Sequence, residues 1–200
     1  MRPQSITVAF ALLASTAVSV SAQTPATGDA PRKSSIAFEA DVLAYGVNGY
    51  SAMLNYSFAN GFQVAAGTGS YDVPAFLLEG DKNYEAAHWK ARSTSVQVVR
   101  ATYRFNGPMR SGFAVGAVML NQNWKLSAEK IAGETKFRPV GVGLTAGYYK
   151  HFGRSFYVYP TTAFTYNSVA SGSTRLGNTS YSVAKLAPNA SLHMGWAWSR

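Results

Sequence analysis

Between Ser35 and Trp198 apolar and polar side chains alternate with a period of two. That is the period of a β-strand, whose successive side chains point to opposite faces; a helix would require 3.6. Eight such segments can be read, at about 35–45, 50–58, 62–76, 93–105, 113–125, 139–152, 156–169 and 181–198. Each has one apolar face. In the first, Ile36, Phe38, Ala40, Val42 and Ala44 oppose Ser35, Glu39 and Asp41; in the fourth, Val99, Ala101, Tyr103 and Phe105 oppose Arg100, Thr102 and Arg104. The sixth sets Val140, Val142, Leu144, Ala146 and Tyr148 against glycines with Thr145, Tyr149 and His151. The eighth sets Leu186, Ala190, Leu192, Met194, Trp196 and Trp198 against Lys185, Asn189, Ser191 and His193.

A water-soluble barrel or sandwich would turn the second face to solvent and load it with charge. Here that face is rich in Gly, Ser and Thr, with few charges of both signs, and charged residues make up only 14% of the chain. Small residues beside paired polar ones suit the crowded interior of a small barrel. The apolar face then lies outside.

The connections support this arrangement. Ala59-Asn60-Gly61, the turn from Asn106 to Gly112 and Gly153-Arg154-Ser155 are short, and alternate with polar stretches at 77–92, 126–138 and 170–180. The first connection, Gly46-Val47-Asn48-Gly49, is the exception in being short. An up-and-down meander therefore gathers short turns at one end and long loops at the other, as in outer-membrane barrels. Phe58, Phe62, Phe105, Phe113, Tyr148, Phe152, Phe156, Trp196 and Trp198 share the apolar face near the short turns or the C-terminus. Such a ring of aromatics fits the membrane–water boundary. Tyr50 and Tyr166 fit an opposite ring, whereas Tyr71, Trp124 and Tyr181 fall on the other phase. In the first hairpin, a three-residue loop with Gly61 left-handed would pair Phe58 with Phe62. Pro160 and Pro188 interrupt two segments, and a bulge or local break is expected at each.

Residues 1–22 read as a cleaved secretory signal, with basic Arg2, an apolar run from Ile6 to Val20 and a small-residue site at Val20-Ser21-Ala22. Residues 23–34, rich in Thr, Ala, Pro and Gly, read as a flexible lead-in. The absence of cysteine argues against a disulfide-stapled secreted fold.

Signal, eight alternating segments, turn asymmetry and the terminal Leu192-His193-Met194-Gly195-Trp196-Ala197-Trp198 together resemble the small eight-stranded bacterial outer-membrane β-barrels. This broad group includes the OmpA membrane domain, OmpX, OmpW and the opacity-type adhesins. The resemblance covers residues 35–198 and is one of architecture. It implies an all-β, eight-stranded antiparallel up-and-down transmembrane β-barrel in the outer membrane of a Gram-negative bacterium. The implied partners are outer-membrane lipid and lipopolysaccharide, and the barrel-assembly machinery through the C-terminal strand; the barrel itself is expected to be a monomer. That strand departs from the group in one respect, since Ser199-Arg200 follow the final aromatic.

Some barrels of this size act on lipopolysaccharide. The nearest approach to a Ser-His-acid set is Ser191 and His193 with Glu39 or Asp41, brought near when the first strand closes on the last. These side chains face the lumen near the short-turn end, whereas deacylase and palmitoyltransferase types work on the outer leaflet, and the deacylase pattern places His before Ser. No catalytic residue is assigned. Glu39, Asp41, Arg100, Arg104, Lys185, Ser191 and His193 are instead expected to form a polar network that fills the lumen. No metal-ligand spacing and no cofactor is indicated. His88 lies in a loop. The net charge of +9 forms no nucleic-acid stripe, because acids balance bases in 77–92; Lys125, Lys130, Lys136, Arg138 and Arg175 lie in or beside the expected outer loops, where anionic lipopolysaccharide phosphates would meet them.

The sequence thus reads as a non-enzymatic barrel with a structural or surface-interaction role, through loops 77–92, 126–138 and 170–180. A lipid A-modifying enzyme, a narrow porin-like pore for small solutes and a soluble lipocalin-like barrel are the alternatives.

Overall fold

The computed structural model describes residues 33–199; the expected signal peptide and the lead-in up to residue 32 lie outside them. The chain forms β1 (Ser35–Asp41), α1 (Val42–Gly46), β2 (Tyr50–Ser57), β3 (Phe62–Asp72), α2 (Ala75–Leu78), α3 (Tyr84–Ala87), β4 (Trp89–Arg104), β5 (Gly112–Ala128), β6 (Glu134–Phe152), β7 (Phe156–Gly172) and β8 (Leu186–Ser199). The eight strands close into one antiparallel ring, each beside its sequence neighbours, with β1 paired to β8. A two-stranded ribbon, Arg175–Leu176 with Thr179–Ser180, stands apart in the last loop.

The ring turns its apolar residues outward. Leu144 is 73% exposed and Leu54 61%, and Val99, Met119, Val142 and Phe164 continue the same belt. Exposed apolar surface on this scale demands a cover. An apolar wall around a polar interior is the inverse of a water-soluble barrel, and closing the ring gives every strand a neighbour on both sides over part of its length. No described helix is long and apolar enough to cross a membrane.

The first hairpin forms the expected three-residue loop. Phe58 N donates to Phe62 O at 2.7 Å, and Gly61 takes φ +93°. A side chain at Gly61 would also press on Arg104 O. Phe58 and Phe62 pair outside the barrel with ring centroids 6.0 Å apart. Phe152 and Phe156 repeat the arrangement at 6.0 Å, but with Gly153, the first loop residue, left-handed. Phe113 stands against Tyr148 and Phe156 against Trp196, while Phe105 packs on Tyr103.

The long-loop end differs from the sequence reading. β1 stops at Asp41 instead of running to residue 45, because Asp41 Oδ1 accepts from Leu43 N at 3.1 Å and caps a helical turn. Val42 and Ala44 therefore leave the strand. The first connection becomes an eight-residue segment, 42–49, at the same end as the other long ones. β3 ends at Asp72, before Pro74, and β4 begins at Trp89, so the second loop is 73–88 rather than 77–92. The stretch 126–138 is mostly strand, with only 129–133 between β5 and β6. β8 starts at Leu186, which lengthens the last loop to 173–185.

The prolines act through the direction of their missing N–H. Pro160 faces β6, and there the ladder lapses between Gly147↔Thr161 and Lys150↔Val158 without a register shift. Pro188 produces neither bulge nor break. Asn167 N donates to Lys185 O, so alternate residues of β8 bond β7 and the nitrogen of Pro188 points the other way. On that side β1 has already ended, since its last partner is His193. The register shift near a proline falls instead between Arg138 and Pro139.

Candidate functional site

The inward face of the short-turn half carries a cluster built around Glu39. This carboxylate is 0% exposed, and strand pairing sets it opposite Gly195 on β8 and Met53 on β2. Across the lumen, Arg100 Nη2 on β4 reaches Glu39 Oε1 at 2.7 Å. Tyr157 Oη donates to Glu39 Oε2 at 2.8 Å and Asn55 Nδ2 to the same oxygen at 3.1 Å. His193 Nδ1 lies 3.1 Å from Glu39 Oε1, within ion-pair range but off the line of a hydrogen bond, and its Nε2 is 3.4 Å from Arg100 Nη1. A buried carboxylate needs this density of partners, because desolvation would otherwise expel it.

A second layer lies nearer the short turns. Gln63 Oε1 accepts from Tyr149 Oη at 2.7 Å and from Thr102 Oγ1 at 3.0 Å. The guanidinium of Arg104 covers the Tyr149 ring at 3.8 Å, lies 2.8 Å from His151 Nε2 and donates to Arg110 O at 3.0 Å. Tyr149 stacks on Tyr159 at 3.8 Å, and Arg100 covers Tyr159 at 5.0 Å, which ties the two layers together. The rings fit because the wall beside them lacks side chains: a Cβ at Gly195 would enter the Tyr157 ring, and one at Gly147 would meet that of Tyr159.

Of the lumen residues expected from sequence, Glu39, Arg100 and His193 meet, and Arg104 joins them through Tyr149. Asp41 serves the wall, where its Oδ1 accepts from Leu43 N and from Leu192 N, both at 3.1 Å. Ser191 is half-buried and stands outside the hydrogen bonds around Glu39. Lys185 precedes β8 and is exposed, so it is corrected from lumen to loop. Asn55, Gln63, Tyr149, Tyr157 and Tyr159 were missed. Their strand phase pointed inward, and the glycines on facing strands were the available signal for the large rings.

The long-loop end is closed differently. Trp89, Leu126 and Phe137 point inward and are buried with Leu78, Ala87 and Leu176 from the loops. Trp124 belongs to this cap, and Tyr181 packs against Trp89, Trp124 and Phe137 with centroids 6.1–6.4 Å apart. Tyr71 also turns inward, and its hydroxyl donates to Gln122 at 3.0 Å. Asp81 fastens the loops together, accepting from Asn83 N at 2.8 Å, Ser182 N at 2.7 Å and Trp89 Nε1 at 3.2 Å. Burial, and secondarily the charge of Asp81, pushes the Tyr181 hydroxyl up to about 12. Between cap and polar cluster, the inward positions Val96, Val98, Val118 and Leu120 are apolar.

No protein-family model matches the chain, and no curated protein does. Among solved structures it is similar to the N-terminal β-barrel domain of Pseudomonas aeruginosa OprF, at 15% identity and TM-score 0.49, covering 85% of this chain and 100% of that one. Neisserial surface protein A gives 12% identity and TM-score 0.43, over 84% and 95% of the two chains. A major outer membrane protein from Thermus thermophilus gives 11% and 0.46, over 82% and 99%. The fold itself rests on the closed strand ladder of this chain.

Proposed function

We propose that the protein is a non-enzymatic, monomeric barrel of the bacterial outer membrane, which spans the bilayer as a closed wall and acts through its outer loops. The observation that carries this reading is the double closure of the lumen. The Glu39–Arg100–Tyr157 cluster fills one half and the Trp89–Phe137–Tyr181 cap covers the other, with a layer between them in which Val96, Val98, Val118 and Leu120 stand beside the buried Thr165 and its partner Asn189. An eight-stranded interior is just wide enough for side chains to fill it. The apolar belt supports a membrane location. The short turns then face the periplasm, while the loops 42–49, 73–88, 129–133 and 173–185 face outward. Among them α2 presents Phe76 and Leu77, 63% and 59% exposed, as the foremost contact surface. The alternating strand β8, with Trp196 and Trp198, is the segment offered to assembly machinery.

Reconstitution in planar bilayers tests the closed wall. Purified, heat-modifiable protein should insert without unitary conductance steps. Steps that Arg100→Ala enlarges would replace this reading with a narrow pore.

A further inference from the structure

The outward face of β6 changes character in one step. From the short-turn end it runs Phe152 and Lys150, then the belt of Tyr148, Ala146, Leu144, Val142 and Val140, and then Arg138 and Lys136. On β5 Lys125 stands directly opposite Lys136. Like charges facing each other across a ladder repel; Glu134 forms its ion pair with Lys125, and its charge also reaches Lys136 from farther off. Lys136 and Arg138 have no ion pair among the described residues.

The backbone beside these cations is open. Pro139 offers no N–H to β5, and the β5–β6 ladder lapses between Asn121↔Val140 and Trp124↔Phe137. On the other side the register shifts at Arg138 and Pro139, and Gly172 of β7, at φ +86°, adds no side chain. The result is a groove of about 270 Å³, rimmed by Lys125, Lys136 and Arg138, edged by Thr94, Asn123 and Ser171 and floored by Trp124 and Phe137.

We propose that this groove binds the phosphate of an anionic lipid headgroup in the outer leaflet. Arginine's planar fork and the adjacent lysines match phosphate oxygens, and hydroxyl and amide groups stand within the same rim. A lipid, rather than free phosphate, is the occupant because the groove opens on the outer wall where the apolar belt ends. A headgroup seated there lays its chains along Val140, Val142 and Tyr166. The proposal rests on the lipid-facing reading of that wall, but not on what the loops contact.

Native mass spectrometry of the full chain in uncharged detergent tests it, with dihexanoyl phosphatidic acid as probe, and dihexanoyl glycerol and inorganic phosphate as comparisons. Phosphatidic acid should bind with defined stoichiometry, and Lys136→Gln/Arg138→Gln should weaken it roughly thirtyfold. The charge-keeping Lys136→Arg/Arg138→Lys should retain binding, and Lys150→Gln/Arg154→Gln, at the far end of the same wall, should not change it. Equal loss in both neutralised pairs would reduce the effect to net charge. Inorganic phosphate binding as tightly would remove the lipid from the proposal, and unaltered binding in the Lys136/Arg138 variant would overturn it. Heat-modifiable migration of each variant reports the barrel, and hence the membrane reading, separately.

Discussion

Glu39 and Arg100, 61 positions apart in the sequence, meet inside the barrel at 2.7 Å with 0% and 4% of their surfaces exposed. Each is the main reason the other can remain charged there. Removing one partner leaves an uncompensated buried charge. Arg100→Met or Glu39→Gln should each lower stability by about 3–5 kcal/mol. The double variant should lose less than the sum, since no orphan charge remains. Urea titration in micelles, read by heat-modifiable gel migration, gives both values, and strict additivity would show that the pair is not coupled.

The wall glycines are predicted to be sensitive too, though less so than the charges. Gly195→Ala places a methyl in the Tyr157 ring, whose hydroxyl is committed to Glu39. Overpacking of this kind costs about 1–3 kcal/mol. Gly46, where an added Cβ meets nothing within 4 Å, is the matched control, and Gly46→Ala should leave the urea midpoint unchanged.

Asp81 holds loop 73–88 to loop 173–185 through Ser182 N and to the barrel through Trp89. Asp81→Ala should therefore release both loops while leaving the strand ladder intact. Limited proteolysis of the folded protein should cut within these loops at least several-fold faster than in wild type, with the trimmed barrel still heat-modifiable.

The cap should also respond to alkaline pH. The folded Tyr181 hydroxyl, at about 12, lies above the ordinary tyrosine value of about 10. A raised folded value means that the neutral form stabilises the cap fully below about pH 10 and ceases to do so as pH passes about 12. Near-ultraviolet circular dichroism should show a loss of cap signal across that interval, absent from Tyr181→Phe.

The outward apolar face was legible because period two is imposed by strand geometry on every position of the ring. The same rule misled where its physical premise ends. Past the bilayer the polarity of β5 and β6 inverts, with Trp124, Leu126 and Phe137 inward and Lys125, Glu134 and Lys136 outward, so an extended hairpin resembled a polar loop. Val42 and Ala44 kept the strand's alternation while Asp41 capped a helix beneath it. In the lumen, phase told which residues point inward. It could not tell that Arg100 reaches β1 or that Tyr149 stacks on Tyr159, because those meetings depend on the stagger of the strands around the ring.

The pairing of β1 with β8 joins Ser35 to Ser199 and runs for only seven residues, after which Leu186 to Leu192 have no strand on that side. Every other pairing joins neighbours in sequence through a local connection, and needs little loop-closure entropy. This one must bring together the two ends of the domain, so it carries the largest closure cost, on a ladder only two pairs longer than the five of β1 with β2. It is therefore the last hinge to shut when the chain zips into the bilayer, and the first to part under strain. Asp41, which accepts from Leu192 just where the ladder stops, is the latch on that door.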